Sequence, residues 1–77
     1  MTPLPSASGK QVVQALLHAG FHLSHVRGSH RYLRKSDDPA FVVVPVHGSR
    51  DLPVGTLRSI IRQANLTVEE FTRLLRQ

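Results

Sequence analysis

Residues 21–35 read Phe21-His22-Leu23-Ser24-His25-Val26-Arg27-Gly28-Ser29-His30-Arg31-Tyr32-Leu33-Arg34-Lys35, and this stretch decides the fold. On either side of Gly28-Ser29 the residues follow the period of extended chain rather than of helix, with Phe21, Leu23 and Val26 apolar before the pair and Leu33 after it. A Gly-Ser pair between two such runs predicts a hairpin with strands over residues 21–27 and 30–35. In the second arm, alternation puts His30, Tyr32 and Arg34 on one face and Arg31, Leu33 and Lys35 on the other. If Leu33 meets the core, His30 and Tyr32 meet solvent.

Upstream, Ser8 followed three residues later by Gln11 is a capping-box pattern, and Val12, Val13, Leu16 and Leu17 share one helical face before Gly20 offers a left-handed stop. This predicts a helix over residues 9–19, preceded by a Pro/Ser-rich lead-in over residues 1–8. Downstream, Ser36-Asp37-Asp38-Pro39 signals a turn, and Phe41-Val42-Val43-Val44-Pro45-Val46 is a β-branched run suited to a third strand. Pro45 cannot donate to a ladder, so that strand must end there or lie at an edge. Beyond Pro53, Leu57, Ile60, Ile61 and Ala64 form the stripe of an amphipathic helix that Asn65 can close. Thr67 with Glu70 makes a second capping box, opening a helix that would bury Val68, Phe71, Leu74 and Leu75.

The predicted order is therefore α-β-β-β-α-α. Three short antiparallel strands must hide one face and each helix one stripe, which an α+β fold with all helices on one side of the sheet satisfies. The other sheet face is left to water or a ligand. No repeat, low-complexity tract or internal linker interrupts the chain, so residues 1–77 read as a single domain.

Ten Lys and Arg against five Asp and Glu leave a formal net charge of +5, an attraction for polyanions that fits nucleic acid or an acidic protein and also serves solubility. The chain has no cysteine, which excludes disulfides, thiolate metal sites and cysteine nucleophiles and suits a reducing cytoplasm. No segment approaches the roughly 20 apolar residues that span a bilayer, and the opening residues lack the basic and apolar regions of a secretion signal.

An imidazole, an aromatic ring and guanidinium groups along one exposed strand can stack on bases and contact phosphates. RNA carries its own nucleophile: a base that takes the 2′-OH proton lets that oxygen attack the adjacent phosphate while cations hold the developing charge. Histidine suits the base role near neutral pH, which singles out His30. Gly28 would let the backbone turn or approach a substrate closely, and Ser29 offers a hydroxyl to phosphate; the same three residues also make an ordinary polar turn. Among the other histidines, His18 reads as a helix-end residue, His22 and His25 as solvent-facing strand residues, and His47 as either a loop residue or a second acid or base. No carboxylate stands at ligand spacing to any of the five, so neither a metal nor another cofactor is expected. Arg50, Arg58 and Arg62 supply charge around a Pro53-Val54-Gly55-Thr56 helix start, which reads equally as helix initiation with a solvated face.

Together, Phe21 closing an Ala-Gly-Phe, Gly28-Ser29-His30 heading a strand, Val44-Pro45 with His47, Asp51-Leu52-Pro53-Val54-Gly55-Thr56-Leu57-Arg58-Ser59-Ile60, and Gln63-Ala64-Asn65-Leu66 resemble the HicA (YcfA-like) toxin family. The likeness runs from about Gly9 into the last helix. It implies a double-stranded-RNA-binding-domain-like fold, metal-independent cleavage of messenger RNA, inhibition by a HicB-like antitoxin, and a catalytic role for His30. Asn65 departs from the family's usual glycine but still permits a left-handed helix end. On this reading Gly28, Ser29, Arg31, Tyr32, Arg34, Lys35, His47 and Arg58 are the candidate RNA contacts. A non-catalytic RNA-binding module of the same fold, and a domain whose basic surface meets only an acidic protein, are the competing functions.

Overall fold

A computed structural model describes residues 3–39 and 41–77 in the order α1 (Gly9–His18), β1 (His22–Arg27), β2 (His30–Arg34), β3 (Val42–Pro45), α2 (Val54–Gln63) and α3 (Val68–Leu75). Both capping boxes form. The Gln11 N–H donates to the Ser8 hydroxyl at 3.3 Å while the Ser8 N–H donates to the Gln11 side chain at 2.9 Å. At α3 the Thr67 N–H donates to Glu70 Oε1 at 2.8 Å and the Glu70 N–H to Thr67 Oγ1 at 3.0 Å. Asn65, at φ 60°, turns the chain out of α2, as its place after the Leu57–Ala64 stripe predicts.

The strands form one antiparallel sheet in the order β1-β2-β3, so β2 is paired on both sides. Leu33, Val42 and Val44 face the helices and are buried with Val12, Leu16, Leu57, Ile60 and Phe71 in one continuous core. This is the predicted α+β arrangement, with helices on one sheet face. β3 ends at Pro45 on an edge of the sheet, where a missing N–H costs nothing. A further ladder bond follows, from Val46 N–H to the Ser29 carbonyl at 2.7 Å.

Three features depart from the simple pattern. Leu23 and Val26 pair with Leu33 and Arg31, yet they remain 45% and 51% exposed because β1 is an edge strand overhanging the helical layer. In α3 only Phe71 is fully covered, Val68, Leu74 and Leu75 being half-buried along its margins. The opening residues do more than lead in: Ala7 is fully buried, its carbonyl accepts the Leu52 N–H at 2.8 Å, and Ser8 bridges to Asp51. Met1 and Thr2 of that lead-in lie outside the described residues. The helix start is so close to the end of β3 that a Cβ on Gly9 would collide with the Pro45 carbonyl oxygen, which restricts this position to glycine.

Two measurements follow. Leu33→Ala removes a fully buried side chain from the centre of the sheet and should cost about 2–5 kcal/mol in denaturant unfolding, whereas Val26→Thr at the exposed edge should stay within about 0.5 kcal/mol. The hydrogen bond donated by the Thr67 N–H, and after it the Thr67 side chain, lower the Glu70 carboxyl below its ordinary 4.5. A lowered folded value means that the contribution is present above the ordinary value and is lost as pH falls through the folded one. The stability advantage of wild type over Glu70→Gln should therefore shrink as the solution is acidified below about pH 4.5, in parallel thermal unfolding series.

Candidate nucleic-acid interface

The β1–β2 connection is two residues long, since Arg27 pairs with His30 across it. Gly28 has φ +58° and Ser29 does not share the left-handed conformation, the pattern of a type II′ turn whose twist matches the flanking strands. Behind the turn the Arg31 guanidinium donates from Nη1 to the Gly28 carbonyl at 3.1 Å. His30 is thus the first residue after a tight turn, on the central strand, with Arg27 beside it on β1 and Pro45 on β3. Its side chain is exposed.

Alternation along β2 sends His30, Tyr32 and Arg34 to the face opposite Leu33. What joins them from β1 depends on an irregularity: the register slips between Leu23 and His25, leaving Ser24 as an extra residue. After this bulge His25 pairs with Tyr32 and Arg27 with His30, so both turn outward, while Val26 pairs with Arg31 on the helix side. The Ser24 hydroxyl shares a hydrogen bond of 3.3 Å with His25 Nδ1. The His25 and Tyr32 rings stack at 4.2 Å with an interplanar angle of 11°, and Phe41 stands edge-on to both, at 5.9 Å from His25 and 6.0 Å from Tyr32. The Arg34 guanidinium carbon lies 4.9 Å from the centre of the Phe41 ring. None of the three strands contains an Asp or Glu.

The anticipated RNA contacts divide between the two faces. Gly28, Ser29, His30, Tyr32 and Arg34 are together at the turn and on the outer face. Arg31 and Lys35 point to the helix side, Arg31 bracing the turn and Lys35 lying with its ammonium 5.1 Å from the centre of the Phe21 ring. His47 is exposed just past the end of β3 and lines a depression of about 350 Å³ with Arg50, Asp51 and Thr56. Arg58 is on the exposed side of α2, a helix that packs on the other face of the sheet. A depression of about 470 Å³ between α1 and α3, lined by Lys10, Val13, His18, Arg31 and Leu74, does not include His30. His30 is itself exposed at the surface, a setting that suits a polymer better than a small molecule. Among the described residues no group of three or more His, Asp and Glu is gathered as metal ligands.

His25, Arg27 and Phe41 are members of this surface that strand alternation does not reveal. Counting outward from Leu23 puts His25 and Arg27 on the helix side, and only the bulge at Ser24 reverses them; Phe41 reads simply as the first residue of an apolar run.

Residues 9–66 match the family model described as HicA toxin of bacterial toxin-antitoxin. The chain belongs to the HicA toxin family. No curated protein matches it. As a HicA toxin it is the toxin member of a toxin–antitoxin pair, which implies an antitoxin partner. The matched region contains the whole sheet, the Gly28-Ser29-His30 turn, His47 and Arg58, and stops before α3. No helix among the described residues of this HicA toxin is long and apolar enough to cross a membrane.

The turn should be sensitive to backbone chirality. Gly28→Ala forces an L side chain to φ +58° and should destabilise the protein by about 1 kcal/mol or more, whereas D-alanine at the same position in a synthetic chain should restore or exceed wild-type stability. Equal melting temperatures for the two forms would contradict the assigned turn.

Proposed function

We propose that this toxin is a metal-independent endoribonuclease that cleaves messenger RNA in the cytoplasm, with His30 as its catalytic acid or base, and that a HicB-like antitoxin inhibits it. The observation that carries this reading is the setting of His30: an exposed imidazole beside a tight glycine turn, on a sheet face with Arg27 and Arg34 and no acidic strand residue. An imidazole there takes the proton of a ribose 2′-OH. The 2′ oxygen then bonds to the neighbouring phosphorus, the P–O5′ bond breaks, and the departing 5′ oxygen receives a proton from an acid or from water. Guanidinium groups on the same face, Arg34 and Arg27, stabilise the charge that builds on the phosphoryl oxygens. Gly28 and Ser29 contribute a backbone approach and a hydroxyl to the phosphate, and Tyr32 a ring for the adjoining nucleotide.

An antitoxin that covers this face would mask His30 and the positive charge in one step, because both are on a single exposed surface. Arg31 and Lys35, directed to the helix side, act through the turn and the field of the protein rather than as first contacts with phosphate.

The test is cleavage of a mixed messenger RNA in EDTA by purified wild type and His30→Ala, each first checked for folding. Wild type should cut and the variant should lose about 10²–10⁴-fold in rate. Absence of cutting by both would leave a non-catalytic RNA-binding module. Equal cutting by both would remove His30 from the mechanism.

A further inference from the structure

We infer that His25, Tyr32 and Phe41 form a stacking site for an unpaired base of single-stranded RNA, placed next to His30 so that it holds the nucleotide beside the bond to be cut. The inference rests on the proposed ribonuclease reading and adds to it the strandedness of the substrate and the residues that grip it.

The chain has one tyrosine and three phenylalanines, and the core takes only Phe21 and Phe71. Tyr32 and Phe41 are instead on the sheet face that no helix covers, Phe41 40% exposed. They are held there by each other and by His25, through the 4.2 Å stack and the two edge-on contacts. With His25 and Phe41 exposed and Tyr32 half-buried between them, the cluster is fixed in place yet retains apolar surface for a planar partner. Its surroundings select a polyanion: Arg34 is held over Phe41, Arg27 is on the adjoining strand, and the strands carry no carboxylate to repel phosphate.

Spacing ties the cluster to the catalytic group. Tyr32 is two residues from His30 on the same face of β2, a separation of about 7 Å along the strand. A base on the cluster therefore belongs to a nucleotide adjacent to the phosphate at His30. Bases inside an A-form duplex are already stacked and show only their edges in the grooves, so this surface serves unpaired RNA.

The test measures binding apart from cleavage, by fluorescence anisotropy of a short labelled single-stranded RNA and of its blunt duplex on His30→Ala protein. Adding Tyr32→Leu or Phe41→Leu should weaken single-strand binding about tenfold each, while Tyr32→Phe, which keeps the ring, should stay within about twofold. Duplex binding and the slope of affinity against salt should not change, because phosphate contacts are untouched. Replacing bases of the probe by abasic sites should weaken binding to the unaltered rings about tenfold, a check that does not depend on a variant folding. Folded Leu variants that bind the single strand like the parent, or that lose duplex binding equally, would overturn the inference. So would retained RNA affinity together with lost affinity for the cognate antitoxin, which would make this a protein-docking face. Single-strand binding that depends on the rings, with no cleavage by wild type, would remove the nuclease and leave the stacking site standing.

Discussion

The burial of Leu33 is the constraint on which the arrangement depends. It is fully enclosed on the central strand, and its two neighbours across the ladder, Leu23 and Val42, fix the register of β1 and β3 around it. A slip of one residue would bring His30, Tyr32 and Arg34 into an apolar core and turn Leu33 out to water. Transferring an imidazole and a guanidinium from water without partners costs several times what a buried leucine contributes, so alternative registers are strongly disfavoured. The outer face is thus specified by the inner one. His30, Tyr32 and Arg34 need contribute nothing to the core in order to be held in place.

This division of labour depends on the start of the strand as much as on its middle. At the start of β2 the glycine turn reverses the chain within two residues and the Arg31 guanidinium ties the Gly28 carbonyl from behind. At the same end, on the β3 flank, Pro45 stands opposite His30 and closes β3 against Gly9, and the Ser8 cap of α1 is bridged to Asp51. The imidazole of His30 is therefore on a framework anchored by a helix cap, a close backbone crossing and two ladders, although the side chain itself is free in solvent. Such anchoring limits the backbone while leaving the side-chain rotamer open, which suits the proton-transfer role proposed above for this imidazole.

Much of this was legible in the sequence because the signals were local. Both capping boxes, the Leu57–Ala64 stripe, the Asn65 exit and the proline at the end of β3 each depend on residues within a few positions of one another, and each formed as read. The outward placement of His30, Tyr32 and Arg34 followed from a single buried leucine and the period of a strand. Features that needed a non-local fact were not legible. The extra residue at Ser24 leaves no mark in the apolar pattern, since Leu23 and Val26 fall on the same face only after the bulge. The burial of Ala7 depends on where Leu52 arrives, and the exposure of Leu23 and Val26 on how far the helices reach across the sheet. Arg31 and Lys35 could be assigned to the inner face from alternation, but what each would meet there could not.

The bulge also bears on how such a surface can arise at little cost to the fold. Inserting one residue into an edge strand disturbs only a single ladder, because the outer side of β1 has no partner in the sheet. In the central strand the same insertion would break two ladders and reverse every residue beyond it. The edge is therefore where the outer face can be rewritten: one additional serine turns a histidine and an arginine toward His30 and Tyr32, and leaves Leu33, Val42 and Val44 in the core undisturbed. On the reading proposed above, the strand that carries the reacting imidazole is held by the core, while the strand beside it is free to vary in what it presents to RNA.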